Sequence, residues 1–248
     1  MNQEKPNPEM FREDGGAALP QAPEAVLRAA DESGPLSCKE PQSAGQAAAL
    51  PQVVLIGDSI RLGYCQTVGQ ALAGRAEVVY PSENCRDTHA VITSLLGWSR
   101  EWDAARVTLV HFNCGHWDIA HWGGDAESLT PVDCYRKNIG RIIARLRGLF
   151  PGARIVYATT TPMNPDGSLG LNPRTTAEII RYNGAGSAAA REQGAEINDL
   201  FAATATWGPE CYRDYCHFTP EAFERLGKIT ADFLESRLHE QMKANLSI

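Results

Sequence analysis

Nowhere in the chain does an apolar run approach the ~18 residues that a membrane-spanning helix requires. Basic residues are also in deficit. The 23 Lys and Arg stand against 30 Asp and Glu, a formal charge of −7, which argues against nucleic acid or an anionic membrane as the main partner. No internal repeat is present, and no Gly-rich loop is placed to cradle a phosphate, since Gly184-Ala185-Gly186 falls within a helical pattern. The opening residues lack a basic segment followed by an apolar core. No secretory signal is therefore expected, and a cytoplasmic location is. The seven cysteines (Cys38, Cys65, Cys85, Cys114, Cys134, Cys211 and Cys216) are odd in number and form no Cys-x-x-Cys. That pattern fits reduced thiols better than a disulfide framework, although Cys211 and Cys216 are near enough in sequence to pair.

What the chain does have is enough apolar residue to bury a full core: 43% of 248 residues. Residues 1–50 differ from the rest. They hold six of the 15 prolines, one aromatic residue (Phe11), and four basic against eight acidic groups. They read as a polar, Pro-rich and poorly ordered arm, with one short helix around Ala22–Ala30. The remainder, 51–248, reads as one domain.

From Gln52 onward, strand and helix signals alternate. The strands are Val53–Ile56, Glu77–Tyr80, Val107–Phe112, Arg154–Ala158 and Ala195–Asn198. A helix from about Arg61 to Ala73 follows the first strand, and another runs through Leu95. Thr130-Pro131-Val132-Asp133 opens a long helix, with Thr130 as N-cap and Pro131 at the first helical position. Its stripe is Tyr135, Ile139, Ile142, Ile143, Leu146 and Phe150. A helix covers about Thr175–Gln193, and Thr219-Pro220-Glu221 starts the last, with Phe223, Leu226, Ile229 and Phe233 as its stripe. Alternating βα units imply a parallel sheet covered on both faces. Sites on such sheets lie outside the carboxyl ends of the strands, where Ser59, Asn84, Asn113 and Thr159–Thr161 all fall.

Gly57-Asp58-Ser59 closes the apolar run Val53-Val54-Leu55-Ile56. A serine there points out of the sheet edge beside a helix N-terminus, which favours developing negative charge. By itself such a serine is more often a cap. Asp214-Tyr215-Cys216-His217 supplies what a nucleophile needs: a base, and a third group to hold the base's tautomer.

Together these segments resemble the SGNH (GDSL) hydrolase family over about residues 52–240. Ser59, Asp214 and His217 match its catalytic positions one for one. Glu83-Asn84-Cys85-Arg86-Asp87-Thr88, His111-Phe112-Asn113-Cys114-Gly115-His116-Trp117-Asp118 and Ala158-Thr159-Thr160-Thr161-Pro162 resemble the intermediate blocks of a branch whose wording is close to ENCGDT, HFNxGLHD and ATTTP. The resemblance implies a three-layer α/β/α sandwich around a five-stranded parallel sheet, flavodoxin-like in type. It also implies a serine esterase acting on a small acyl group, with acetyl on a carbohydrate or similar polyol as the expectation, and no cofactor or metal. An α/β-hydrolase nucleophile elbow fits less well, because Arg61 stands where that turn wants Gly.

Two departures from the family concern the oxyanion hole. Arg86 occupies the place of the second-block Gly, and Trp117 that of the third-block Asn. Asn113 and Asn84 are then the amides left to supply a donor, with the Arg86 and Ser59 backbone N–H groups and the Trp117 indole beside them. Asp58 reads as a brace for the turn. His116, Asp118, His121 and Asp125 cluster in sequence but match no zinc spacing, and His111 and His116 read as structural. Trp117 and Trp122 are placed to stack on a sugar ring or to cover their own loop. An acyltransferase with the same triad, and a non-catalytic binding protein with a degraded oxyanion hole, are the alternatives.

Overall fold

The computed structural model describes residues 49–167, 170 and 172–246. The expected arm 1–50 lies outside these residues but for Ala49 and Leu50.

Five strands form one parallel sheet: β1 (Gln52–Ile56), β2 (Glu77–Val79), β3 (Val107–Asn113), β4 (Arg154–Ala158) and β5 (Glu196–Asn198). Their order is β2-β1-β3-β4-β5, the flavodoxin-like arrangement. Strand β1 pairs with β2 through Gln52 and Glu77 and with β3 through Ile56 and Phe112. The helices are α1 (Ser59–Ala71), α2 (Thr88–Ser99), α3 (His116–Ile119), α4 (Val132–Leu149), α5 (Thr176–Glu192), α6 (Leu200–Thr204) and α7 (Pro220–Leu246).

Every residue of β1 is buried, as a central parallel strand requires. Its alternation divides the core. Val53 and Leu55 face the layer that includes α1 and α7, whereas Val54 and Ile56 face α2, α4 and α5. The stripe on α4 from Tyr135 to Leu146, and Phe150 just beyond it, is almost fully buried. At about 25 cal/mol per Å² of apolar surface, such stripes hold the helices to the sheet far more than their local propensities do. On α7, Phe223 and Leu226 are buried while Ile229 and Phe233 pack partly exposed against the same layer.

Some local expectations need correction. Thr130 does not cap α4; Pro131 takes the N-cap position in extended conformation. Thr130 is tied one residue earlier, its N–H donating to the Asp118 carbonyl and its carbonyl accepting from the Tyr182 hydroxyl. Helix α1 begins at Ser59 rather than Arg61, because the Asp58 carboxylate caps it through the Ile60 N–H. Thr175 does cap α5, reciprocally with Glu178. Cys211 and Cys216 are both free thiols.

Candidate active site

Strand order reverses at β1, with β2 on one side and β3 on the other, so the crevice outside their carboxyl ends is where a ligand site belongs. Ser59, the first residue of α1, stands at that crevice. Gly57 before it passes so close to β3 that a Cβ there would lie 2.0 Å from the Asn113 side-chain oxygen. The tight turn therefore needs glycine, and it turns Ser59 out at the sheet edge.

Across the crevice, Tyr212 and Phe218 form an antiparallel bridge that closes a loop around Asp214 and His217. The loop is braced from within: Asp214 Oδ1 accepts from the Cys216 N–H at 2.9 Å and the His217 N–H at 2.7 Å. His217 Nδ1 donates to Asp214 Oδ2 at 2.8 Å, and its Nε2 lies 2.7 Å from Ser59 Oγ. With the Nδ1 proton held by the carboxylate, Nε2 is the acceptor facing the serine hydroxyl. Burial works against the charge of Asp214, but these two N–H bonds and the imidazole outweigh it and hold its pKa below the ordinary carboxylate value. The arrangement is able to take a proton from Ser59 as its oxygen attacks a carbonyl.

These residues border a cleft of about 290 Å³, lined by Ser59, Asn84, Trp117, Trp122, Asn172, Arg174, Tyr215 and His217. A larger concavity, about 640 Å³, lies where the chain enters β1 and is bordered by Leu50, Arg106 and Leu238. It holds neither Ser59 nor His217, so the smaller cleft is the candidate site.

The oxyanion candidates separate on inspection. Asn113 does not line the cleft. Its amide donates to Asp58 Oδ1 at 3.1 Å beneath Gly57, so it braces the turn rather than facing a substrate. Asp58 has the bracing part that its position suggests, and burial raises its pKa. Arg86 also differs from expectation. Its side chain is exposed, and its N–H donates to Asn84 Oδ1 at 2.9 Å. Its φ is +56°, the left-handed region that favours glycine. Asn84 and Trp117 both reach the cleft. The Asn84 NH₂ and the Trp117 indole N–H have no protein acceptor among the described residues. Trp117 and Trp122 lie against each other with ring centroids 4.9 Å apart.

The His116–Asp125 cluster is dispersed. His116 bonds the Thr161 hydroxyl through Nε2 and accepts from Arg174 through Nδ1, and burial holds it neutral, well below its usual pKa. Asp118 accepts from the Thr88 hydroxyl at 2.6 Å, and burial raises its pKa to about 7. His121 bridges the Asp125 carbonyl and the Glu178 carboxylate. His111 is buried against Asn198, which donates to its Nε2, and its pKa falls to about 3. Thr159, Thr160 and Thr161 are buried scaffold, bonded to Asp199, the Cys114 carbonyl and His116 in turn.

Sequence reasoning missed Asn172, Arg174 and Tyr215. The first two lie in an irregular segment between β4 and α5 that carries no periodic signal. Tyr215 lies inside the Asp214–His217 block, where the sequence shows it only as spacing between the two.

A model of the GDSL-like lipase/acylhydrolase family matches residues 55–225. By sequence, no curated protein matches the chain. Among solved structures, the fold is similar to that of a lipase/acylhydrolase from Enterococcus faecalis, with 18% identity, 76% of this chain and 97% of the other covered, and a TM-score of 0.62. It is also similar to an aryl esterase from M. smegmatis (15%, 75% and 99%, 0.59). A carbohydrate acetylesterase from Sinorhizobium meliloti is likewise similar (14%, 75% and 99%, 0.56).

Proposed function

The chain belongs to the GDSL-like lipase/acylhydrolase family and is a carboxylic ester hydrolase, and on that premise we propose that it is a serine esterase removing a small acyl group, acetyl above all, from a polyol or carbohydrate. The observation that carries this reading is the hydrogen-bonded chain from Ser59 Oγ through His217 to Asp214, with contacts of 2.7 and 2.8 Å.

In this mechanism Ser59 Oγ attacks the ester carbonyl while His217 Nε2 takes its proton. Asp214 keeps the imidazole in the right tautomer and stabilises it once charged. The carbonyl oxygen gains negative charge beside the N-terminus of α1. There the Ser59 N–H, the Asn84 amide and the Trp117 indole N–H are the donors at hand. The tetrahedral intermediate collapses, and His217 returns the proton to the departing alcohol oxygen. Water then attacks the acyl-serine by the same route, releasing the acid and restoring Ser59.

Three observations support the small acyl group and the polyol. The cleft, at about 290 Å³, is at the lower end for ligand pockets. Its Trp117 and Trp122 pair offers an apolar platform of the kind that packs against a sugar ring. A structural relative is a carbohydrate acetylesterase. The test is hydrolysis of p-nitrophenyl esters of increasing acyl length and of acetylated sugars, with Ser59→Ala as control. Acetate should be the preferred acyl group. A rate rising with chain length would contradict the small-acyl reading.

A further inference from the structure

We propose that the cleft selects esters carrying a carboxylate close to the scissile bond, and that Arg174 is the residue that binds it; this rests on the esterase reading above.

Arg174 is 6% exposed and borders the cleft that holds Ser59 and His217. A buried guanidinium is costly unless strong acceptors surround it. Arg61, the other buried arginine near the site, shows how this fold meets that cost. Its Nη groups donate to the carbonyls of Pro81 at 2.9 Å, Glu83 at 2.7 Å and Gly57 at 3.2 Å. Arg174 receives much less. Its Nε donates to His116 Nδ1 at 3.2 Å, its Nη1 to the Asn172 carbonyl at 3.3 Å, and its Nη2 to Cys216 Sγ at 3.3 Å.

All three partners are neutral. Burial keeps the His116 imidazole uncharged and the Cys216 thiol protonated, the latter pushed up to about 12. A thiol is also a weak acceptor. No carboxylate lies within ion-pair distance of Arg174 among the described residues. Asp58 feels its charge only through space. The face of the guanidinium stacks on Tyr215, itself a cleft residue, at 5.3 Å to the ring centroid.

A guanidinium has five N–H donors, of which three are spent. One remains on each terminal nitrogen, the fork that a carboxylate accepts in bidentate fashion. A desolvated cation with two donors in hand, bordering the cleft of a nucleophile and lacking an anion of its own, is a site waiting for an anionic group of the substrate. Tyr215 and the His116 contact hold the fork in place, so little side-chain freedom is lost on binding.

The carboxylate has two possible places, the alcohol part or the acyl part, and the experiment distinguishes them. One arm compares 4-acetoxybenzoate with its neutral methyl ester. The other compares mono-4-nitrophenyl glutarate with 4-nitrophenyl valerate. Wild type should favour the anionic ester by about 10–100-fold in kcat/KM in one arm, the range of a charge-assisted bond. Arg174→Gln should bring that ratio to about one while changing the neutral ester only a few-fold. A wild type that treats charged and neutral esters alike in both arms overturns the proposal. So does an Arg174→Gln variant that slows both equally, since that marks a purely scaffolding or oxyanion role.

Binding keeps the two readings separate. In Ser59→Ala protein, fluorescence of the cleft tryptophans reports the binding of both ester pairs without turnover. Tighter binding of the anion in either pair sustains the Arg174 site even where hydrolysis is absent, and equal binding of anion and neutral ester in both pairs contradicts it even where hydrolysis is rapid.

Discussion

Asn113, at the end of β3, donates its side-chain amide to Asp58 Oδ1 at 3.1 Å, directly beneath the turn that presents Ser59. The same Asp58 oxygen caps α1 through the Ile60 N–H. One carboxylate thus fixes both the strand end and the first turn of the helix that begins with the candidate nucleophile.

Asn113→Ala is therefore a stability variant first. It leaves Asp58 short of a partner in a fully buried place, at a cost of about 2 kcal/mol. For a chain of this size that lowers the thermal midpoint by roughly 4–8 °C. An unchanged midpoint with a large loss of kcat would mean that Asn113 faces the substrate.

Trp117→Phe keeps an aromatic wall against Trp122 and removes only the indole N–H. Where that group stabilises the oxyanion, kcat falls by about 10² with KM nearly constant, because the bond strengthens only as charge develops. A change in KM alone would assign Trp117 to the pocket wall and leave the Asn84 amide and the Ser59 N–H as the donors.

Arg86→Gly relieves a left-handed residue at φ +56° whose side chain is exposed. The strain of about 1 kcal/mol disappears, so differential scanning calorimetry should record a midpoint raised by roughly 2–4 °C. A lowered midpoint would mean that the Arg86 side chain makes a contact that outweighs its backbone.

Asp118 gives a pH signature. Burial holds its pKa at about 7 in the folded state, against ~3.9 in an unfolded chain. Between those values the folded chain keeps a proton that the unfolded chain has released, so this group's contribution to stability falls as pH rises from about 4 to 7. Asp118→Asn is neutral throughout and should gain on wild type across that window in thermal melts. A difference that stays constant from pH 4 to 8 would show Asp118 ionised throughout.

The sheet was legible because strands such as Val53–Ile56 and Arg154–Ala158 are short, mostly apolar runs bounded by turn residues. The contact of Ser59 with the Asp214–His217 pair was legible because Ser59 follows β1 and the pair stands just before α7. What escaped depended on which side of a backbone a side chain takes. Asn113 and Trp117 stand four residues apart around Gly115, whose φ of +153° and close approach to Thr160 turn the chain there. That turn sends Trp117 into the cleft and leaves Asn113 under Gly57, and no pattern of residue types encodes such a reversal. In the sequence Arg61 signals only a missing glycine, whereas its contacts with the Pro81 and Glu83 carbonyls fasten that loop to α1 and a third holds the Gly57 carbonyl. Arg174 lay in an aperiodic segment, where a buried cation and a solvated one read alike.

The chemistry proposed for the cleft requires that His217 activate Ser59. The most direct measurement is covalent labelling of the folded protein with a fluorophosphonate, followed by peptide mass spectrometry. One stoichiometric adduct should form on the peptide holding Ser59 and be lost in His217→Ala. An unlabelled protein, or an adduct on another residue that survives Ser59→Ala, would contradict it.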